Sequence, residues 1–184
     1  MIDGRPVAQV GKLRYPSAPK PTLVLGLGNP ILRDDGVGWR VVDEARRRCR
    51  DESVEFDTVA LGGISLMERL IGYDRAVLVD AIQTDGSAAG QVRRLTLDDL
   101  PTLHADAIHD ASLKAALVLG CHLGARLPTD ITIIAVEAVD VLDFGDTLSP
   151  AVEAAVPAAV DLVLALLHPV AVSGGDGGGT RGIT

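Results

Sequence analysis

The chain has 184 residues, 47% of them hydrophobic and 3% aromatic, enough for one well-packed domain and hardly enough for two. Its formal net charge of −8 argues against a nucleic-acid surface, because neutralising phosphates takes clustered Lys and Arg. The two cysteines, Cys49 and Cys121, make no CxxC pair and are expected on apolar helix stripes, which argues against a disulfide framework or thiolate metal site and for a reducing cytoplasm.

Residues 1–21 carry Pro16, Pro19 and Pro21 without periodicity and read as a flexible lead-in that lacks the apolar core of a signal peptide. No window approaches the roughly 18 apolar residues of a membrane span, so a soluble, cytoplasmic protein is expected. One domain, residues 22–170, follows, and the Gly-rich residues 171–184 read as a disordered tail. The first strand is expected at 23–27, then a helix over 37–50 with Val37, Val41, Val42, Ala45 and Cys49 on one stripe. Arg46, Arg47, Arg48 and Arg50 fall late in that helix, where cations suit the dipole and form a solvated face more readily than a docking patch. A half-buried strand is expected at 54–59, a short helix at 64–71 after Gly62-Gly63, and a buried strand at 76–79 that ends on Asp80. A loop over 83–90 precedes an edge strand at 91–97, a polar segment at 98–110 and a helix over 111–123. The last strand is expected at 131–136 with Glu137 at its end. The last helix starts at Ser149-Pro150 and runs to about Leu167, kinked or divided by Pro157. Strands alternating with helices of this length predict a three-layer α/β sandwich, its sheet mostly parallel and covered on both faces.

The stretch TLVLGLGNPILRDDGVG, residues 22–38, carries the chemistry. A buried strand empties into a Gly-rich loop, but the loop ends in Asp34 and Asp35, which would repel a phosphate and suit a cation. Asp80 follows another buried strand, so in a parallel sheet it shares the carboxyl edge with them. His109 opens the helix after the edge strand. Two carboxylates and an imidazole, Asp35, Asp80 and His109, would hold a divalent metal and leave positions open for substrate. Each has a plainer reading: Asp80 as a turn cap, one of Asp34 and Asp35 as the N-cap of the next helix, and His109 as a packing residue with His104, His122 and His168 as rivals.

Three blocks, GLGNPILRDDGVG, LGGISLMERLIGYDRAVLVDAI and VEAVDVLDFGDTLSPAVEAAVP, resemble the hydrogenase maturation protease family over residues 22–168. The resemblance implies an endopeptidase that removes the C-terminal extension of the nickel-iron hydrogenase large-subunit precursor. It implies that Asp35, Asp80 and His109 contact the nickel already installed in that precursor, a metal that another divalent ion can replace in the isolated protein. The sequence departs from the family pattern at Ala89-Gly90, where Pro-Gly is frequent, and at Asp110, where Gln or a small residue is common.

On this reading the metal polarises the scissile carbonyl or a bound water, and Asp34 is the nearest carboxylate to take a proton. No Ser or Cys lies in the first motif or the V-D-A block, and HExxH is absent. Three rivals remain. A peptidyl-tRNA hydrolase shares the opening G-L-G-N-P, but this chain continues with Ile31 and the acidic pair. A dinucleotide-binding domain lacks its third glycine here. A nickel-site chaperone that binds the same precursor without cutting it would use the same three ligands.

Overall fold

The computed structural model describes residues 20–60, 63–99 and 108–167. The apolar runs become five strands of one sheet: β1 (Lys20–Leu27), β2 (Val54–Val59), β3 (Tyr73–Ile82), β4 (Val92–Thr96) and β5 (Asp130–Glu137), in the order β2-β1-β3-β5-β4. β1 is parallel to β2 and β3, β3 is parallel to β5, and the edge strand β4 runs antiparallel to β5. Helices α1 (Val37–Arg48) and α4 (Pro150–Leu167) cover one face, while α2 (Ile64–Leu70) and α3 (Ile108–His122) cover the other. The expected α/β sandwich is therefore what forms.

β1, β3 and β5 are covered on both faces, which is why they read as near-continuous apolar runs. Alternate side chains part to opposite faces. Leu23, Leu25 and Leu78 meet Leu66 and Leu70 of α2 and Leu113 and Leu117 of α3. Val24, Val77 and Val79 meet Val41 and Ala45 of α1 and Val156 and Val160 of α4. Each fully buried branched side chain contributes about 1.5–3 kcal/mol, so the double-sided core is the main force holding the edge of the sheet in register.

Several boundaries differ from the sequence-based expectation. β1 takes in Lys20 and Pro21 from the supposed lead-in. The rest of that segment, the Gly-rich tail, His104 and His168 lie outside the described residues. β3 runs past Asp80 to Ile82 because Asp80, Ala81 and Ile82 pair with Ala135, Val136 and Glu137 of β5. α3 begins at Ile108, which puts His109 inside its first turn. α4 continues unbroken through Pro157, an exposed position where the carbonyl left without a donor can face water. α4 is also long and apolar enough to cross a membrane by length and composition, contrary to the sequence reading. Its Val152, Val156, Ala159, Val160 and Val163 are buried in the core with α1 and the sheet. Cys121 is exposed on α3 and Cys49 ends α1, and both are free thiols. The arginine cluster forms the expected solvated face, with Arg46 on Asp43, Arg47 on Glu44 and Arg48 on Asp161 of α4.

One contact sets how closely α1 approaches the sheet. A Cβ on Gly38, in the first turn of α1, would lie 2.4 Å from the carbonyl oxygen of Leu27 and 2.5 Å from that of Val79. A Cβ on Gly26 of β1 would lie 2.5 Å from the carbonyl oxygen of Gly38. Backbone here packs on backbone, directly over the carboxyl ends of β1 and β3. Gly38→Ala is expected to lower stability by about 1–3 kcal/mol through overpacking, read as a shift in the urea midpoint; an unchanged midpoint contradicts the close-approach role.

Candidate active site

β1 lies between β2 and β3, and the chain leaves it over one face and returns from β2 over the other. The crevice beyond the carboxyl ends of β1 and β3 is thus a topological switch point, the usual location of sites in open α/β sheets. The loop after β1 fills it. Gly28 turns the chain with φ +103°, and a Cβ there would lie 1.9 Å from the carbonyl oxygen of Asp35, so only glycine serves. Asn29 donates its backbone N–H to Asp35 Oδ2 at 2.6 Å and accepts the Ile31 N–H on Oδ1 at 3.2 Å. A short 3-10 turn, Arg33–Gly36, then carries both aspartates into α1. Neither aspartate caps that helix: Gly36 is the N-cap and makes no side-chain bond.

The two carboxylates differ sharply. Asp35 is half-buried. Asp34 is fully buried, and its carboxylate accepts the backbone N–H of Ser149 at 2.6 Å, of Val139 at 2.9 Å and of Asp140 at 3.1 Å. Its own N–H donates to the carbonyl of Asp140 at 3.0 Å. Burial pushes the Asp34 carboxyl up, but the backbone donors of Ser149, Val139 and Asp140 together outweigh it and hold the pKa below the ordinary value. Next to it Arg33 adopts φ 43°, a left-handed conformation unusual for a long side chain. Its backbone donates to the Gly145 carbonyl at 2.9 Å, and a bridge pairs Leu32 with Gly145. The loop after β1 is thereby sewn to the segment after β5, and the two present exposed Ile31, Val139, Leu142 and Phe144.

Asp80 arrives from the neighbouring strand. The register sets Gly26 beside Val79, so Asp80 stands level with the last residue of β1. It is half-buried, and its Oδ1 accepts the N–H of Ala81 at 2.9 Å. α3 leads into β5, so the start of α3, with His109, belongs to the same edge; the His109 side chain lies outside the described residues. Among the described residues no group of three His, Cys, Asp or Glu side chains stands close enough to hold a metal. The fold thus brings Asp34, Asp35 and Asp80 to one edge, and it divides the acidic pair into a sealed carboxylate and an accessible one.

Sequence reasoning noted Glu137 only as a strand end. Its side chain is 3% exposed and accepts the Thr84 N–H at 2.5 Å, the Thr84 hydroxyl at 2.8 Å and Arg93 Nη2 at 2.9 Å. Its carbonyl accepts the Gly90 N–H at 2.8 Å. Both ends of the Gln83–Gly90 loop, which follows the Asp80 strand, are therefore fastened to β5. The available signal was an acid at the end of a buried strand, the same pattern that drew attention to Asp80.

Two substitutions test these roles. Asp34→Ala leaves three backbone N–H groups without an acceptor and is expected to cost about 2 kcal/mol or more. Because the folded pKa is depressed, the ionised Asp34 stabilises the fold above the ordinary carboxylate value of about 3.9 and loses that contribution as pH falls through the folded value. The stability gap between wild type and Asp34→Asn, followed by urea unfolding, should stay constant down to about pH 4 and then narrow; a gap that persists undiminished into acid contradicts this assignment. Glu137→Ala is expected to cost about 1–3 kcal/mol, less than breaking a fully buried pair because the Arg93 side chain is 33% exposed. It should also speed amide exchange at Thr84 and Gly90.

Comparison with known proteins places the chain in a family. The sequence profile of the family described as "Hydrogenase maturation protease" matches residues 40–166. The chain is 30% identical over 148 residues to the hydrogenase 2 maturation protease of Escherichia coli, covering 79% of this chain and 90% of that protein. It is 29% identical over 149 residues to the hydrogenase expression/formation protein HupD of Thiocapsa roseopersicina, spanning 66% of that relative's length. The solved structure of the hydrogenase maturating endopeptidase HybD from E. coli superposes with a TM-score of 0.67 at 28% identity, over 80% of this chain and 91% of that one. In sequence and in fold alike, the chain belongs to the hydrogenase maturation protease family and is an endopeptidase of hydrogenase maturation.

Proposed function

We propose that this endopeptidase removes the C-terminal extension of a nickel-loaded large-subunit precursor of a nickel-iron hydrogenase, in the cytoplasm, and that Asp35, Asp80 and His109 recognise the precursor's nickel. The observation that supports the reading is that Asp35, in the loop after β1, and Asp80, near the end of the adjacent β3, lie at the same edge of the sheet. Two accessible carboxylates from neighbouring strands suit a divalent ion that also keeps ligands of its own. In this proposal His109, at the start of α3, is the third ligand. The nickel is part of the substrate, so the three side chains act as a gate: only a precursor that carries metal is drawn into position.

Held in this way, the nickel acts as a Lewis acid on the scissile carbonyl or on a bound water. Water adds to the carbonyl carbon, and its proton passes to the departing amine. Asp34 takes a positioning role in this scheme rather than that of proton acceptor. Its carboxylate already accepts three backbone N–H bonds, and protonating it would weaken the contacts that tie this loop to the segment after β5. The exposed Ile31, Val139, Leu142 and Phe144 beside the crevice offer apolar surface to an extended peptide.

The test is intact-mass spectrometry of nickel-loaded precursor incubated with the protein. A C-terminal peptide should be lost only from the nickel-loaded form. Asp35→Asn, Asp80→Asn and His109→Ala should each slow that loss by about 100-fold or more, as expected for primary ligands when their supporting residues alone are worth 10–100-fold. Tight nickel-dependent binding with no change in precursor mass would replace this reading with that of a non-cutting chaperone.

A further inference from the structure

A cleft of about 280 Å³ opens beside the loop after β1, between that loop, α1 and the segment before α4. Pro30 and Leu148 form apolar walls, and Arg33, Trp39, Arg40 and Arg47 contribute donors. Gly36, the residue after Asp35, also lines it, so the cleft abuts the candidate active site. Two of its donors are incomplete. Arg33 Nε and Trp39 Nε1 are both buried, and neither has an acceptor among the described residues. A buried N–H without an acceptor is unfavourable until something supplies one.

The unpartnered donors of the lining, rather than its net charge, favour an acceptor. Arg47 is occupied by Glu44 at 2.6 Å, and Arg33 reaches Asp140 through Nη1 only at 3.5 Å. Arg40 makes no ion pair among the described residues. Of the two acids that line the cleft, Asp43 is taken by Arg46, and Asp146 is exposed. Guanidinium and indole groups are donors only, so the matching ligand is an acceptor-only group, and a planar carboxylate suits an arginine fork.

We propose that this cleft binds a carboxylate of the precursor's C-terminal extension, placing the residues beyond the scissile bond while the nickel gate holds the residues before it. The proposal rests on the protease reading above. The carboxylate is either the chain terminus or an acidic side chain of the extension, and the two share the same recognition chemistry.

Trp39 is the only tryptophan in the chain, so its fluorescence reports on the cleft directly. The full-length protein is titrated with the extension as three synthetic peptides: the free acid, the C-terminal amide, and an amide in which every Asp and Glu is replaced by Asn or Gln. Saturable change with the free acid and none with the fully neutral peptide is expected. A response lost on simple amidation identifies the terminus, and one retained there but lost in the neutral peptide identifies a side chain. Equal response to all three overturns the proposal. Arg40→Gln should weaken the peptide about tenfold and raise KM for nickel-loaded precursor to a similar degree, with partial recovery in Arg40→Lys. Trp39→Phe, which removes the indole N–H, should raise KM as well. Precursor cleavage with KM unchanged in both Arg40→Gln and Trp39→Phe removes the subsite and leaves the protease reading standing. Carboxylate-dependent fluorescence change in a protein that fails to cut the precursor does the reverse.

Discussion

Two segments far apart in the chain meet on a single carboxylate. Asp34 takes hydrogen bonds from the backbones of Val139, Asp140 and Ser149, more than a hundred positions away, and returns one to the Asp140 carbonyl. Those donors lie in the segment between β5 and α4, so the loop after the first strand is held by the stretch that follows the last. A buried charge is costly unless it is hydrogen-bonded, and here backbone donors supply the bonds, with no cationic partner among the described residues. The left-handed conformation of Arg33 depends on this knot, because a local strain persists only where surrounding contacts over-determine it.

The knot also explains why adjacent aspartates can serve different ends. In a 3-10 turn, consecutive side chains point about a third of a turn apart. Asp34 points into the protein, whereas Asp35 stays half-buried and accepts the Asn29 N–H. The close approach of Gly26 and Gly38 fixes the other wall, bringing the start of α1 down onto the ends of β1 and β3. Accessible carboxylate, sealed carboxylate and strand-borne Asp80 are thus positioned by backbone contacts, which tolerate little drift.

The strands and helices were legible in the chain because double-sided burial leaves continuous apolar runs and single-sided burial leaves stripes. Boundaries were less legible. β3 extends past Asp80 only because β5 offers partners there, and pairing across a crossover leaves no local mark. Pro157 reads as a break, yet at an exposed position the helix passes through it. α4 shows that composition alone does not separate a core helix from a membrane span. Around the candidate site, the residue types and their common edge could be read from strand ends and loop acidity. The division of labour between Asp34 and Asp35 could not, because the partners that seal Asp34 are remote in sequence. Glu137 was hidden for the same reason: its partners, Thr84 and Arg93, come from a loop and an edge strand that carry no pattern tying them to it.

The Gln83–Gly90 loop is fastened at Thr84 and at Gly90 to the same residue of β5. Its ends are therefore fixed piers, and whatever spans them is mechanically isolated from Asp80 on one side and from β4 on the other. Changes of length or charge in that span need not pull on Asp80 or on β4, because Glu137 holds it at both ends.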